Sequence, residues 1–440
     1  MFLGLSITFA KIFQMNFIDE LRWRGMLNDA TPGTEELFAQ KKVRAYIGFD
    51  PTAPSMTIGN FVQIMILTIL QKHGHTPIVL MGGATGRIGD PSGKDQERQL
   101  KSYDELDNNL KHQVEQMKKF LDFETGSNKA ILVNNLDFYK EMNVLDFLRD
   151  VGKNLTINYM LSKDSVKNRL ETGLSFTEFS YQILQAYDFL FLYKNLDCQV
   201  QLGGSDQWGN ITAGTEFIRR NISESKAYAA TTPLLTKSDG KKFGKSEQGN
   251  LWLDPKMTSP YQFYQFWINA DDADIPTFMR YFTLKPKEEV EAIEKDNLEN
   301  PREYKRILAE ELTIRVHSQE DYESVLRVSD ILFNKNASAE QLKTLNENEL
   351  STIATEIPSF EISSALITEG VDISSLIAEH TSIVQSKGDA RRAIKANALS
   401  VNKEKVTDHM HRIGTSDLLR DQFIMIENGK KNKFILKLAK

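Results

Sequence analysis

The chain has 440 residues, of which 40% are hydrophobic and 26% are charged. A chain of this length exceeds one compact core, so two to four domains are expected. It contains no run of 18 apolar residues, which excludes an ordinary membrane-spanning helix. A single cysteine, Cys198, excludes internal disulfides and is typical of a reducing compartment, so we expect a cytoplasmic protein.

The net charge of −6 is unevenly distributed along the chain. Residues 381–440 contain 13 Lys/Arg and 6 Asp/Glu, whereas the rest contains 41 and 54. A basic end on an acidic body favours a polyanion-binding module at the C-terminus. Charge alone is equally typical of a solvated basic surface.

In chain order, residues 1–14 lack the features of a signal peptide and are interpreted as an N-terminal extension. Residues 43–49 predict a buried strand, 58–72 a helix and 77–81 a second strand, which runs into a glycine-rich loop. This strand–helix–strand unit is typical of a nucleotide-binding parallel sheet. Further strands are predicted at 130–133, 198–202 and 232–235, and helices at 103–121, 177–192 and 206–219.

The expected organisation is α/β at both ends with a helical region between them. A Rossmann-type catalytic domain is predicted over 15–247, followed by a helical domain over 248–333. Residues 334–362 are rich in Asn, Ser, Glu and Ala, and predict a linker or loosely packed segment. Residues 363–440 predict a small α/β module that carries the basic surplus.

Two polar segments are candidates for phosphate chemistry. Lys242-Phe243-Gly244-Lys245-Ser246 places two lysines around a glycine, which suits a mobile clamp on a triphosphate. It is no Walker A loop, because Asp239 stands where that motif needs glycine; alone, such a loop is more often simply solvated. The second segment, Pro51–Asn60, opens a helix, whose free N–H groups attract anions, although a plain helix cap reads the same way.

Together the two segments resemble the paired signatures of class I aminoacyl-tRNA synthetases, His-Ile-Gly-His and Lys-Met-Ser-Lys-Ser. Here the first reads Thr57-Ile58-Gly59-Asn60, so both histidines are replaced. Four longer stretches are similar to the bacterial-type tyrosyl-tRNA synthetase family: YIGFDPTA (46–53), GGATGRIGDPSG (82–93), SFTEFSYQILQAYD (175–188) and QLGGSDQWGNIT (201–212). The likeness runs from about Met15 to the end. It implies that ATP activates L-tyrosine, which is then transferred to tRNA(Tyr).

The resemblance also assigns roles to individual residues. It implies that Tyr46 and Asp188 hydrogen-bond the phenolic hydroxyl of tyrosine, although an exposed helix charge and a sheet aromatic are the plain alternatives. The remaining tyrosine contacts are implied at Asp90, Asn135, Tyr181 and Gln185 near the ammonium, and at Gln201 and Gln207 near the carboxylate. Contacts with ATP or the adenylate are implied at Gly48, Asp50, Gly59, Gly204, Asp206, Lys245 and Ser246. Catalytic charge stabilisation is implied at Thr52, Thr57, Asn60, Lys242 and Lys245.

The C-terminal module resembles the S4 RNA-binding fold. Residues 386–394 predict the start of a basic helix that ends at Asn397 in the left-handed conformation, and 399–402 predict a strand. The resemblance places Lys387, Arg391, Arg392 and Lys395 towards RNA phosphates, with a solvated helix as the alternative. The family often has glycine where Asn402-Lys403 turns.

Metal ligands, assembly and rival functions complete the expectations. The pairs His73/His75 and His409/His411 lack neighbouring ligands, so no metal site is predicted beyond the Mg²⁺ that accompanies ATP. The resemblance implies a homodimer that forms through a region around 125–170. Two alternative functions remain. One is a tryptophanyl-tRNA synthetase, which would not need Tyr46 and Asp188 to bind a hydroxyl, and the other is an RNA-binding protein without synthetase activity.

Overall fold

A computed structural model describes residues 15–92, 99–163, 166–167, 169, 173–241, 243–246, 249–429 and 432–439, without the side chains of Lys245 and Ser246. The chain forms two compact units. One comprises the residues up to Thr258 together with Trp267–Leu308, and the other comprises Ser259–Phe266 and Ala309–Lys440. None of the described helices is long and apolar enough to cross a membrane.

A six-stranded sheet organises the first unit. Its strands are β1 (Asp29–Ala30), β2 (Arg44–Phe49), β3 (Thr76–Met81), β4 (Ile131–Asn134), β5 (Cys198–Gly204) and β6 (Tyr228–Thr232). The order is β1-β6-β5-β2-β3-β4, and only the β1–β6 pair is antiparallel. The chain leaves β2 towards β3 and β4 on one side, while β5 and β6 lie on the other. The predicted α/β class is confirmed, and the switch point lies between β2 and β5, where such sheets bind ligands.

Helices cover this sheet and close its core. The helices wholly within the first unit are Phe17–Arg24, Thr34–Gln40, Ile58–Lys72, Tyr103–Met117, Val144–Asp146, Ile157–Leu161, Phe176–Leu196, Trp208–Asn221, Ile275–Phe282 and Lys287–Asp296. Pro260–Ile268 and Pro301–Val316 each contribute residues to both units. Phe176–Leu196 starts at its N-cap Ser175 and ends at Asp197, which is left-handed. Its buried Phe189 packs on the ring of Tyr46, at 5.3 Å between centroids.

One strand prediction was wrong in position. The strand predicted over 232–235 occupies Tyr228–Thr232 instead. Pro233 follows immediately and has no N–H for a ladder hydrogen bond, so the strand ends before it. Leu234, which was included in the predicted strand, is exposed.

The second unit contains a mixed sheet with helices. Its five strands run in the order β12 (Glu404–Lys405), β11 (Leu399–Val401), β14 (Phe423–Asn428), β15 (Asn432–Leu438) and β9 (Ser359–Ile362). In the first unit, β7 (Lys245–Ser246) pairs with β8 (Gly249–Asn250); in the second, β10 (Val371–Asp372) pairs with β13 (Arg412–Ile413). The helices wholly within the second unit are Gln319–Phe333, Ala339–Thr344, Glu347–Glu356, Ser364–Glu369, Ile373–Glu379 and Lys387–Lys395.

The prediction that 334–362 is a linker or loosely packed segment was wrong. The segment contains Ala339–Thr344, Glu347–Glu356 and β9, and both helices begin with capping boxes. Leu342, Leu350 and Ile353 are fully buried. Polar residues on the exposed faces obscured the apolar spacing, which is helical. Because β9 pairs with β15, the C-terminal sheet begins before residue 363.

The turn at Asn402-Lys403 forms without glycine. Both residues have positive φ, 47° and 72°, as a two-residue hairpin between β11 and β12 requires. The Asn402 side chain accepts a hydrogen bond from the Met425 N–H at 2.9 Å and donates one to the Asp417 carbonyl at 2.6 Å. These bonds hold the left-handed conformation that asparagine tolerates. Asn397 is also left-handed, as predicted.

Candidate active site

The polar site residues meet at the carboxyl ends of β2, β3 and β5. Asp50 follows β2, the glycine-rich loop follows β3, and Asp206 and Gln207 follow β5. The helix Phe176–Leu196 supplies Tyr181 and Asp188 to the same region, since both contact groups from these loops or the residues after β4. The structure therefore brings together residues that are far apart in sequence.

Asp188 lies at the centre of a buried hydrogen-bond network. Its carboxylate accepts one hydrogen bond from the Asn135 amide at 2.9 Å and another from the Tyr139 hydroxyl at 2.8 Å. Burial raises the pKa of Asp188 to about 7, the Asp50 carboxylate adds to this effect, and the two hydrogen bonds oppose it. Asp188 is thus no exposed helix charge. Tyr139 lies outside the recognised stretches, and no motif or pattern pointed to it.

Tyr46 presents an unpaired hydroxyl to this network. The side chain is 1% exposed, and its hydroxyl has no hydrogen-bond partner in the described parts of the chain. Burial raises the pKa of Tyr46 well above its usual value, and the neighbouring Asp188 raises it further. Gln201 pairs with Tyr46 across β2 and β5, so both side chains share a face of the sheet, and its buried Oε1 also lacks a described partner. Two unmet hydrogen-bonding groups therefore lie side by side.

Asp50 connects the glycine-rich loop to the helix Phe176–Leu196. Its carboxylate accepts hydrogen bonds from the Thr85 hydroxyl at 2.7 Å and the Tyr181 hydroxyl at 3.0 Å. A Cβ at Gly82 would lie 2.0 Å from the Asp50 carboxylate and 2.5 Å from the Thr85 hydroxyl, so a side chain there would displace this network. Thr85, to which the sequence assigned no role, also accepts from the Asn135 amide at 3.0 Å.

A second network joins the glycine-rich loop to the helix after β5. The Gln207 amide donates to Asp90 at 2.7 Å, and the Asn210 amide donates to Gln207 at 3.2 Å and to the Ser92 hydroxyl at 3.2 Å. Asp90 also accepts from the Ser92 N–H at 2.9 Å. Asp90 and Gln207 are thus in direct contact. Gln185 lies on the helix Phe176–Leu196 and is half-buried.

The remaining nucleotide-binding candidates lie around the same edge. Gly48 is exposed within β2, and a Cβ there would meet only ordinary packing from Leu80 at 3.6 Å. Asp206 is exposed, and its carboxylate would be 2.5 Å from a Cβ at Gly204. Gly59 is exposed in the first turn of the helix Ile58–Lys72.

Thr57 and Asn60 form a capping box at the start of the helix Ile58–Lys72. The Asn60 Oδ1 accepts from the Thr57 N–H at 3.0 Å and from the Thr57 hydroxyl at 2.7 Å. The helix-cap interpretation of this segment therefore holds. It does not use the Asn60 Nδ2 group, which has no partner in the described structure and keeps two donors.

The lysine loop is anchored beside this helix start. Gly244 has φ of 85°, and a Cβ there would lie 2.7 Å from Ile58 and 3.4 Å from the Gly59 nitrogen. Phe243 is buried against Phe278 and Phe282, with centroids 5.0 and 5.3 Å away. Lys242 lies outside the described residues, as do the side chains of Lys245 and Ser246. The backbone alone already places the two signature segments in contact.

A cleft of about 240 Å³ opens along the first of these segments, Pro51–Asn60. Thr52 is exposed at its wall, and the lining residues are Phe49, Asp50, Thr52, Ala53, Ser55, Met56, Thr57, Asn60, Gln113, Asn250 and Trp252. No group of three or more His, Cys, Asp or Glu side chains suited to hold a metal ion occurs among the described residues.

The basic helix of the C-terminal module presents only part of its charge. Lys387 forms an ion pair with Glu379 at 2.9 Å, and Arg392 pairs with Asp389. Arg391 and Lys395 are exposed four residues apart, and neither has a partner in the described structure. Lys403, which adds to the basic surplus, is instead buried against Glu427 at 2.9 Å.

These features are those of a class I nucleotide-dependent synthetase: a parallel sheet, a polar switch point, and a lysine loop whose Gly244 lies against the start of the helix Ile58–Lys72. The family "tRNA synthetases class I (W and Y)" matches residues 39–334, and the family "Tyrosine--tRNA ligase SYY-like C-terminal domain" matches 349–436. The chain is 50% identical over 426 residues to a tyrosine–tRNA ligase of Cytophaga hutchinsonii, covering 96% of this chain and 99% of the relative. It is likewise 50% identical over 429 residues to that of Bacteroides thetaiotaomicron, covering 96% and 99%.

Among solved structures, a C-terminally truncated mitochondrial tyrosyl-tRNA synthetase of Aspergillus nidulans is similar, with a TM-score of 0.65 and 31% identity. That match covers 73% of this chain and 95% of the other. The chain therefore belongs to the bacterial-type tyrosyl-tRNA synthetases, which confirms the resemblance read from the sequence.

Proposed function

We propose that this chain activates L-tyrosine with ATP and transfers it to tRNA(Tyr). The observation that carries the proposal is the buried, unpaired Tyr46 hydroxyl next to Asp188. A phenolic hydroxyl placed between them can donate to one group and accept from the other, whereas an indole ring or a phenyl ring cannot. This pair therefore favours tyrosine over tryptophan as the substrate.

The other tyrosine contacts follow from the networks around the pair. We assign the substrate ammonium to Asp90, Tyr181 and Gln185, with Asn135 nearby. Gln201 and Gln207 carry amide N–H groups that can donate to the carboxylate end. These assignments rest on the family resemblance and on the polarity of the site.

In the first step, a carboxylate oxygen of tyrosine attacks the α-phosphorus of ATP, the bond to the bridging oxygen breaks, and pyrophosphate leaves. The second step joins tyrosine to a hydroxyl of the terminal ribose of the tRNA and releases AMP. No side chain has to act as nucleophile. Catalysis then depends on positioning and on stabilising phosphate charge, for which Thr52, the Asn60 amide and the lysine loop are the candidates.

The nucleotide and its ion complete the site. Gly48, Gly59 and Gly204 allow the nucleotide to approach the backbone, and Asp50 and Asp206 lie beside its ribose. Because the described residues offer no cluster of metal ligands, Mg²⁺ would be held chiefly by the phosphates of ATP. The ion would neutralise phosphate charge and favour the departure of pyrophosphate.

Tyrosine-dependent exchange of labelled pyrophosphate into ATP tests the proposal. Exchange with tyrosine, but not with tryptophan or phenylalanine, is the expected result. Exchange with tryptophan alone would identify the other specificity of the family, and no exchange with any amino acid would favour an RNA-binding protein without synthetase activity.

The proposal includes a homodimer that forms through the region around 125–170. Val144, Leu145, Leu148 and Ile157 are each more than half exposed, an unusual concentration of apolar side chains in one region. Leu145→Asp should convert the dimer to a monomer in sedimentation measurements. The matched substitution Leu298→Asp, at an equally exposed leucine elsewhere, should leave assembly unchanged.

A further inference from the structure

The loop that carries Thr52 has few hydrogen bonds of its own. Pro51 and Pro54 lack backbone N–H groups, and the only described backbone hydrogen bond within residues 50–56 runs from the Thr52 N–H to the Asp50 carbonyl at 2.8 Å. Such a loop at the wall of a cleft cannot fix its own position. Its remaining polar groups have to be satisfied from outside. The N–H groups of Leu253 and Asp254 bind the end of the loop, at the Met56 carbonyl and the Ser55 hydroxyl, 2.9 and 3.1 Å away.

One helix supplies the hydrogen bonds on both sides of Thr52. From Tyr103–Met117, the Asn109 amide donates to the Pro51 carbonyl at 3.1 Å, and the Gln113 amide donates to the Ala53 carbonyl at 2.8 Å. The carbonyls on both sides of Thr52 are thus held by two side chains one helical turn apart.

The next polar residue on the same face, Gln116, holds the end of the loop. Its Oε1 accepts from the Met56 N–H at 2.9 Å, and its Nε2 donates to the Ser55 hydroxyl at 2.9 Å. Asn109 and Gln113 are 2% and 3% exposed, positions where an amphipathic helix normally places apolar residues. Burying amides costs free energy unless their hydrogen bonds are made, so the donating NH₂ groups of Asn109 and Gln113 are best explained by the loop they hold. The Gln113 Oε1 is buried without a partner in the described structure.

The same helix also contacts the glycine-rich loop. The Arg87 guanidinium donates to Asp107 at 3.0 Å and stacks over the Tyr103 ring at 4.3 Å. Tyr103–Met117 therefore touches both loops that flank the cleft. These contacts add to the direct hydrogen bond between the two loops, from the Thr85 hydroxyl to Asp50 at 2.7 Å.

We propose that Asn109, Gln113 and Gln116 are positioning residues for adenylate formation, which hold Thr52 at the place where it meets the phosphates of ATP. The inference rests on the proposed function. The residues act through the loop; Gln113 also lines the cleft, whereas Asn109 and Gln116 do not. They should therefore affect the rate of tyrosyl-adenylate formation and leave tyrosine binding unchanged.

The test compares Gln113→Met and Gln116→Met with Lys111→Met, an exposed position on the same helix. Because a displacement of about 1 Å costs up to about 100-fold in rate, each glutamine variant should form adenylate about 10- to 100-fold more slowly in a rapid-quench experiment. Tyrosine affinity should stay within about twofold, since such buried groups are remote from the phenol. Lys111→Met should match the unaltered chain.

A double-mutant cycle separates positioning from general destabilisation. In a Thr52→Ala background, Gln113→Met should lose most of its effect, because the group that it positions is gone. Gln113→Glu keeps the shape and replaces the donor, so it should slow the reaction at least as much as Gln113→Met. Equal effects in both backgrounds, or glutamine variants with normal rates, would overturn the inference. Absence of tyrosine-dependent exchange in the unaltered chain would overturn the proposed function and the inference with it.

Discussion

The hydroxyl of Tyr46 should have opposite effects on the empty and the tyrosine-bound protein. In the empty site it is buried without a partner in the described structure, a condition that costs roughly 1–3 kcal/mol. Tyr46→Phe removes this atom and keeps the ring that packs on Phe189. The empty variant should therefore unfold at the same temperature as the unaltered chain or at a higher one.

With tyrosine bound, the same substitution removes a hydrogen bond. A neutral hydrogen bond contributes about 0.5–1.5 kcal/mol, which corresponds to about a 2- to 10-fold loss of tyrosine affinity. Phenylalanine has no hydroxyl, so its binding should not weaken. The preference for tyrosine over phenylalanine should therefore narrow by the same factor.

Equilibrium binding of the two amino acids and the thermal transition of the empty protein give both quantities. Asp188→Asn is the companion variant, and because it removes a hydrogen bond to a charged group, the expected loss of tyrosine affinity is larger, about 1.5–3 kcal/mol. Tyrosine affinity that is unchanged in Tyr46→Phe, with a lowered transition temperature, would show that Tyr46 is only a packing aromatic.

Three further predictions follow from the site and the basic helix. Because the pKa of Asp188 in the folded, empty protein is raised to about 7, the folded state keeps a proton that the unfolded chain releases near pH 4. The free energy of unfolding should therefore decrease as the pH rises from about 4 to 7, by at most about 4 kcal/mol. Asp188→Asn should lack this pH dependence in unfolding measurements. Arg391→Glu combined with Lys395→Glu should leave pyrophosphate exchange unchanged, raise the KM for tRNA and reduce its salt dependence by about one unit of log–log slope per lost phosphate contact; unchanged tRNA charging would refute the RNA-binding assignment. Lys245→Ala should raise the activation free energy of adenylate formation by about 3–4 kcal/mol, with little change in tyrosine affinity. A normal rate constant for adenylate formation would exclude the loop from catalysis.

The central sheet could be predicted from the sequence because its signals are local. The helix Ile58–Lys72 was predicted with its observed bounds, since an apolar run follows a Thr/Asn capping pattern. The strands before and after it are short apolar runs bounded by polar turns, which is typical of buried parallel strands. The site residues were predicted on another basis, the resemblance of their stretches to a known family.

Contacts between distant segments could not be predicted in this way. Tyr139 binds Asp188 from a separate turn after β4, and Thr85 joins Asp50 to Asn135. Neither contact leaves a periodic or compositional signal. In the segment 334–362 the signal was local but was missed. Its polar composition suggested a linker, although Ser338 and Asn346 begin two helices with capping boxes.

The capping box explains how the helix start works without the two histidines of the family signature. Threonine is a strong N-cap, worth about 1 kcal/mol, and its hydroxyl fixes the Asn60 amide so that Oδ1 serves the helix and Nδ2 stays available. The arrangement shortens the reach of residue 57, because a threonine hydroxyl that caps a helix cannot also extend towards a γ-phosphate. On the proposed function, charge stabilisation should then depend more on Thr52 and the lysine loop. The three amides that hold the Thr52 loop should accordingly be more important to catalysis in this chain than they would be beside a histidine at position 57.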